Sequence, residues 1–160
     1  MPNKDGRFIL SGTGSRSLHG QTKLCGHISE KIHNEIRTQL LTHPDLMIMS
    51  GGAQGFDFLL AEAAHILGIE YVFAIPNSGY VNYYWPTMTD HQKAVFDGAS
   101  RTLTVCNSLY QNGLHSNMVR NLFMIKHSSF MLVYNPTTPG TKHCYGEILK
   151  ANRDHKIITI

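Results

Sequence analysis

The strongest constraint on the fold is a repeated order: a short apolar run, a polar or glycine-rich turn, then helical spacing. Phe8 to Leu10, Leu46 to Met49, Tyr71 to Ile75, Thr102 to Val105, Ser129 to Tyr134 and Lys156 to Ile160 read as strands. Runs without polar interruption, such as Leu46 to Met49, suit strands buried on both faces. Ile28, Ile32, Ile36 and Leu40 form one helical stripe, which ends before Pro44. Leu59, Leu60, Ala63, Ala64 and Leu67 form a second, with Gly68 as its terminating glycine. Helical spacing also covers His91 to Ala99, Asn117 to His127 with Met118, Leu122 and Ile125 inward, and Cys144 to Asn152. The segment PNSGYVNYYWPTMTD reads as a long aromatic loop. Strands alternating with helices predict one α/β domain over residues 1–160. Its expected architecture is a Rossmann-like, doubly wound parallel sheet of about six strands with helices on both faces.

That topology also locates the site. Ligands of doubly wound sheets sit at the carboxyl ends of the strands, where the strand order reverses. The glycine-rich turns all follow strands and therefore share that edge. The most specific is Ser50-Gly51-Gly52-Ala53-Gln54-Gly55-Phe56-Asp57, between a buried strand and an amphipathic helix. Its glycines permit positive φ and close approach of backbone N–H groups to an anion, and the following helix points its positive end there. Asp57 falls in the first helical turn, placed to accept from ribose hydroxyls or simply to complement the helix dipole.

Ser11-Gly12-Thr13-Gly14-Ser15-Arg16-Ser17 forms another turn, a broken G-x-G-x-x-G without the acidic residue a dinucleotide site needs about 20 positions on. Arg16 is a candidate bidentate phosphate clamp. In the turn from Asn135 to Lys142, Gly140 and Thr141 precede a helix, with Thr141 either an N-cap or a phosphate ligand. Asn117, Arg120 and Asn121 share one helix face, where a solvated polar surface is the simpler reading. Trp85, with Tyr80, Tyr83 and Tyr84, offers stacking or loop packing. The histidines show no metal-ligand spacing, so neither a metal nor another cofactor is expected. Cys144 carries no nucleophile motif and reads as a buried thiol.

Composition narrows the partners. Of 160 residues, 42% are hydrophobic and only 16% charged, against about 25% charged in typical soluble chains. That excludes disorder, and the thin charge points to surface covered by another copy, so a homo-oligomer is expected. A net charge of +3 favours an anionic ligand, yet no basic block appears, leaving nucleic acid possible but not favoured. Three scattered cysteines without a C-x-x-C pair suit a reducing, cytoplasmic setting. Neither a secretory leader nor an apolar run of about 18 residues is present, so no membrane association is expected.

Taken together, SGGAQGFDFLLAEAA, the tryptophan-bearing loop, VRNLFMIKHSSFMLVYNPTTPGTK and the final strand resemble the YpsA-like branch of the SLOG superfamily, from Phe8 to Ile160. That superfamily includes the LOG phosphoribohydrolases and the DNA-processing protein DprA. The resemblance implies a Rossmann-like fold that handles nucleotides, nucleotide-derived ligands or nucleic acid. LOG enzymes carry a catalytic arginine before a P-G-G-x-G-T-x-x-E motif. Arg120 matches the arginine, and Gly140 with Thr141 match the G-T pair, but Cys144 stands where the glutamate belongs and the first glutamate is Glu147.

The leading expectation is a site for a nucleotide or nucleotide-derived small molecule, as sensor, carrier or processing domain. Gly51, Gly52, Gly55, Gly140 and Thr141 would line the phosphate region with Arg16 or Arg120 as cationic partner, Ser11, Gly12, Gly14, Ser50 and Asn121 would complete the surround, Asp57 would meet the ribose and Trp85 the base. The alternatives are an N-glycoside hydrolase using Arg120 with Asp57 or Glu147, and DprA-like single-stranded nucleic-acid binding.

Overall fold

The computed structural model describes residues 6–18 and 21–159. Its core is a parallel sheet of β1 (Ile9–Gly14), β2 (Met47–Ser50), β3 (Tyr71–Asn77), β4 (Arg101–Cys106), β7 (Phe130–Tyr134) and β8 (His155–Ile158). They lie in the order β4-β3-β2-β1-β7-β8, so the order reverses between β1 and β7. A short antiparallel hairpin, β5 (Tyr110–Gln111) with β6 (Leu114–His115), stands apart from the sheet. The expected six-stranded, doubly wound parallel sheet is the one observed.

Side chains leave the strands alternately to two faces. Leu10, Ile48, Phe73, Ile75 and Leu132 pack beneath α1 (Thr22–Thr42), α2 (Phe56–Leu67) and α4 (Asp90–Asp97). Ile9, Met49, Val72 and Ala74 meet Met124 of α5 (Ser116–His127) on the other face. There Met131 and Val133 meet Ile125, Cys144 and Ile148, the last two on α6 (Pro139–Lys150). Burial on both sides is why the strands read as unbroken apolar runs. Gly68 ends α2 at φ 69° in the left-handed region, as expected.

Several boundaries differ from expectation. The first strand does not stop at Leu10, because Gly12, Thr13 and Gly14 continue its ladder with Leu132, Val133 and Tyr134. Those glycines make room for the ring of Phe56: a Cβ at residue 14 would lie 2.4 Å from its Cγ. Gly12 and Gly14 are thus strand residues against which α2 packs, and not parts of a turn. The last helix begins at Pro139, with Thr138 as its N-cap, so Thr141 is not the cap. Proline at the first helical position is favourable because its missing N–H would have no helical partner.

The aromatic loop contains α3 (Tyr80–Tyr84) and a single 3-10 turn, Trp85–Thr87. It leads into a Thr89–Gln92 capping box at the start of α4, a signature legible as T-x-x-Q. On α5, Leu122 is exposed, and the buried stripe is Ser116, Arg120, Met124 and Ile125. The final strand ends at Ile158, and Ile160 lies outside the described residues. No helix among the described residues is long and apolar enough to cross a membrane.

Candidate anion-binding crevice

A crevice of about 520 Å³ opens at the carboxyl edge of the sheet where β1 and β7 diverge. One wall is the end of β1 and the residues after it, Gly12 to Ser17; another is α5, through Asn117, Arg120 and Asn121. The first turn of α6 supplies Thr138, Gly140, Thr141 and His143, and Asp57 closes the side nearest α2. Its size falls in the range of small-molecule sites.

Arg120 dominates its chemistry. The side chain is only 2% exposed, an unusual position for a guanidinium. Its Nε donates to Asn121 Oδ1 at 2.9 Å, and its Nη1 donates to the Gly51 carbonyl. Nη2 has no protein acceptor among the described residues. The polar outer face expected for this part of α5 is therefore turned inward, and its cation lines the crevice. Helical spacing carried the signal: Arg120 lies four residues from both Ser116 and Met124, so all three fall on one stripe.

Asp57 lies near this cation, with Gly51 between them. A Cβ at residue 51 would sit 2.6 Å from Arg120 Nη1 and 2.7 Å from Asp57 Oδ2. Burial raises the Asp57 pKa, while Arg120, Arg16 and the Ala53 N–H pull it partly back. That N–H donates to Asp57 Oδ2 across 3.4 Å, and Asp57 contributes to the crevice wall. Burial pushes the Tyr80 hydroxyl, outside the crevice wall, up to about 12, and the charges of Arg120, Asp57 and Arg16 also act on it.

Among the expected residues, Gly12, Gly14, Arg16, Asp57, Arg120, Asn121, Gly140 and Thr141 converge on the crevice. Gly140 and Thr141 sit in the first turn of α6, where backbone N–H groups lack helical partners. The others lie elsewhere. Ser11 is buried and shares a hydrogen bond with Ser128. Ser50 anchors the turn, accepting from the Gly52 N–H and donating to the Asp57 carbonyl at 2.7 Å. Gly51 supplies a carbonyl and space, and Gly55 brings α2 against the chain after β1, where the Phe56 N–H meets the Ser15 carbonyl at 3.1 Å.

Gly52 and the half-buried Trp85 are absent from the crevice wall, and Lys93 Nζ lies 5.5 Å over the Trp85 ring. Glu147 is turned aside, with Lys150 Nζ at 3.2 Å and His143 Nε2 at 3.9 Å. Cys144 is buried and its thiol is pushed up to about 11, in keeping with an unreactive thiol. Ser15, Ser17, Thr138 and His143 are crevice residues that the sequence did not single out. They arrive as neighbours of the turn residues and carry no motif of their own.

No family model matches the chain, and no curated protein matches it. Among solved structures, the chain is similar to DNA processing protein A (DprA) from Streptococcus pneumoniae, with a TM-score of 0.68 at 20% identity. That match covers 97% of this chain and 51% of the other. The protein reported in "Structural insights into the unique single-stranded DNA binding mode of DNA processing protein A from Helicobacter pylori" aligns with a TM-score of 0.67 at 17% identity. It spans 96% of this chain and 66% of that one. The chain thus spans about half the length of the first relative and about two thirds of the second. At these identities the likeness rests on the backbone, and it establishes that this chain has the Rossmann-like fold found in the DNA processing A proteins.

Proposed function

We propose that the crevice binds a nucleotide through its phosphate, the observation carrying this being the buried Arg120 at a topological switch point. A guanidinium so enclosed is costly unless its donors are used; Nε goes to Asn121 and Nη1 to the carbonyls of Gly51 and, at 3.5 Å, Ala74, leaving Nη2 for a ligand. Exposed Arg16 stands across the opening, and the first turn of α6 adds backbone N–H groups. Asp57 is placed to accept from a sugar hydroxyl. On this reading the chain is a nucleotide-binding member of the YpsA-like SLOG branch, acting in the cytoplasm.

Calorimetric titration with a panel of nucleoside monophosphates tests this. The expected result is saturable binding that Arg120→Met weakens by about a hundredfold, the scale of a lost charged hydrogen bond pair. No binding by the folded wild-type protein would overturn the proposal.

A second reading, single-stranded DNA binding, is supported by the DprA likeness and by the reported DNA-binding mode of one of those proteins. Here the crevice would take one backbone phosphate of a strand, and affinity would fall steeply with salt. An oligonucleotide bound with strong salt dependence, where mononucleotides fail, would favour it. N-glycoside hydrolysis would have to rest on Asp57, because Glu147 points away from the crevice. Release of free base during the same titrations would reveal it.

A further inference from the structure

The two edges of the sheet are finished differently. At one edge, β8 carries His155 and Lys156, the latter with its Nζ 2.8 Å from Glu35. At the other, β4 pairs among the described residues with β3 on one side only. β4 carries one charge, Arg101 at its first residue, and from Thr102 to His115 the chain has no Asp, Glu, Lys, Arg or Pro. Edge strands are normally guarded by charge, proline, a bulge or a covering element, because their free N–H and C=O groups recruit another strand. The side chains of Thr102 and Thr104 are exposed. The hairpin that follows packs on α5, the helix that also covers β4. It exposes Leu109, Tyr110 and Leu114 at 52%, 61% and 39%.

We propose that this edge is an interface between two copies of the chain, joined by antiparallel pairing of β4 with β4 about a two-fold axis. Symmetry makes the strand its own complement. A two-fold normal to the sheet keeps each face on its own side, and residues opposite one another in a sheet share a face. The axis must then pass a residue lying opposite its own copy. If that residue is Leu103, Thr102 faces Thr104 of the other copy; if it is Thr104, it faces itself. Either register lines the seam with β-branched threonine, a favourable cross-strand pairing, and sets no like charges opposite each other.

A net charge of +3 per chain would repel a second copy, but none of it lies in the segment from Thr102 to His115. A paired strand alone buries less than the roughly 1,200 Å² total of a stable interface. Leu109, Tyr110 and Leu114 provide the additional apolar area next to the seam. This inference is independent of what the crevice binds.

The test is sedimentation velocity with light scattering on wild type and on the double variant Thr102→Lys, Thr104→Lys. Both positions are exposed, and both registers set lysine against lysine. The expected result is a wild-type species of twice the 17.9 kDa chain mass. The variant should be folded by circular dichroism and self-associate about tenfold more weakly or worse. Thr102→Ser with Thr104→Ser should stay dimeric, separating charge from loss of side chain. A wild type that is monomeric throughout the micromolar range overturns the proposal. So does a dimer that survives both lysines, since it must use another surface. Should the double lysine variant fail to fold, Thr102→Glu with Thr104→Glu also sets like charges against each other in both registers and decides between the same outcomes.

Discussion

Arg120 donates a hydrogen bond to the carbonyl of Gly51, 69 residues earlier in the chain, and only a glycine at position 51 leaves room for it. The absent side chain would occupy the space between the Arg120 guanidinium and the Asp57 carboxyl. The glycine-rich turn thus contributes a carbonyl and a gap. This differs from the expected role, in which its N–H groups cradle the anion directly.

Gly51→Ala is accordingly expected to cost about 1–3 kcal/mol by forcing both charged groups aside. A loss of that size lowers Tm by about 2–4 °C per kcal/mol in a chain this long. Nucleotide affinity should fall by about tenfold, because Arg120 can no longer hold its orientation. Thermal melts and calorimetry on the same variant measure both effects, and unchanged binding would show that the crevice does not depend on this contact.

Asp57 sets a pH dependence. Its carboxyl is raised above the usual value, first by burial, so the folded protein holds this proton more tightly than the unfolded chain. Its stabilising contribution is complete below the ordinary carboxylate pKa and is lost as pH rises through the higher folded value. Asp57→Asn removes that loss. The variant should melt above wild type at neutral pH and show a flatter profile as pH rises above the ordinary carboxylate pKa. Parallel profiles for the two proteins would contradict the shift.

Two glycines near the crevice should respond in opposite directions. Gly55 has φ +84°, and a Cβ there would lie 2.5 Å from the Ser15 carbonyl oxygen and 2.8 Å from Arg16 Cα. Backbone cannot give way as a side chain can, so Gly55→Ala should cost about 2–4 kcal/mol. A Cβ at residue 140 would meet no atom within 4 Å, and Gly140 lies in the first turn of a helix, so Gly140→Ala should gain about 0.5 kcal/mol. Denaturant titration of the pair is a direct check.

Trp85 supplies a negative control. It is half-buried, lies outside the crevice wall and has Lys93 over its ring. Trp85→Ala should cost about 1 kcal/mol from lost packing and cation–π contact, with mononucleotide affinity unchanged. A large loss of affinity would restore the aromatic segment to the site.

Local chemistry determined the elements. Unbroken apolar runs, the stripe from Ile28 to Leu40 and the glycine at position 68 each act over a few residues, and they specify a doubly wound sheet and the edge that bears its crevice. Boundaries are misplaced where a distant partner intervenes or where neighbouring residues mimic a turn. Gly12 and Gly14 extend β1 because β7 lies alongside and the Phe56 ring needs their space. Proline at residue 139 opens a helix that its turn-like neighbours disguise.

By itself, then, the sequence determined the order of the six sheet strands and the longer helices, though not the β5–β6 hairpin or α3, and the placement of glycine-rich turns at one edge, since these follow from periodicity and backbone sterics. Which of those turns forms a cavity was decided by tertiary structure. The strand order reverses between β1 and β7, and the space opened there is lined by the end of β1, α5 and α6. The Ser50–Gly55 turn stands behind it as support. Arg120 shows the reason most plainly: its burial comes from a carbonyl 69 residues away and a missing Cβ, and no local pattern encodes either.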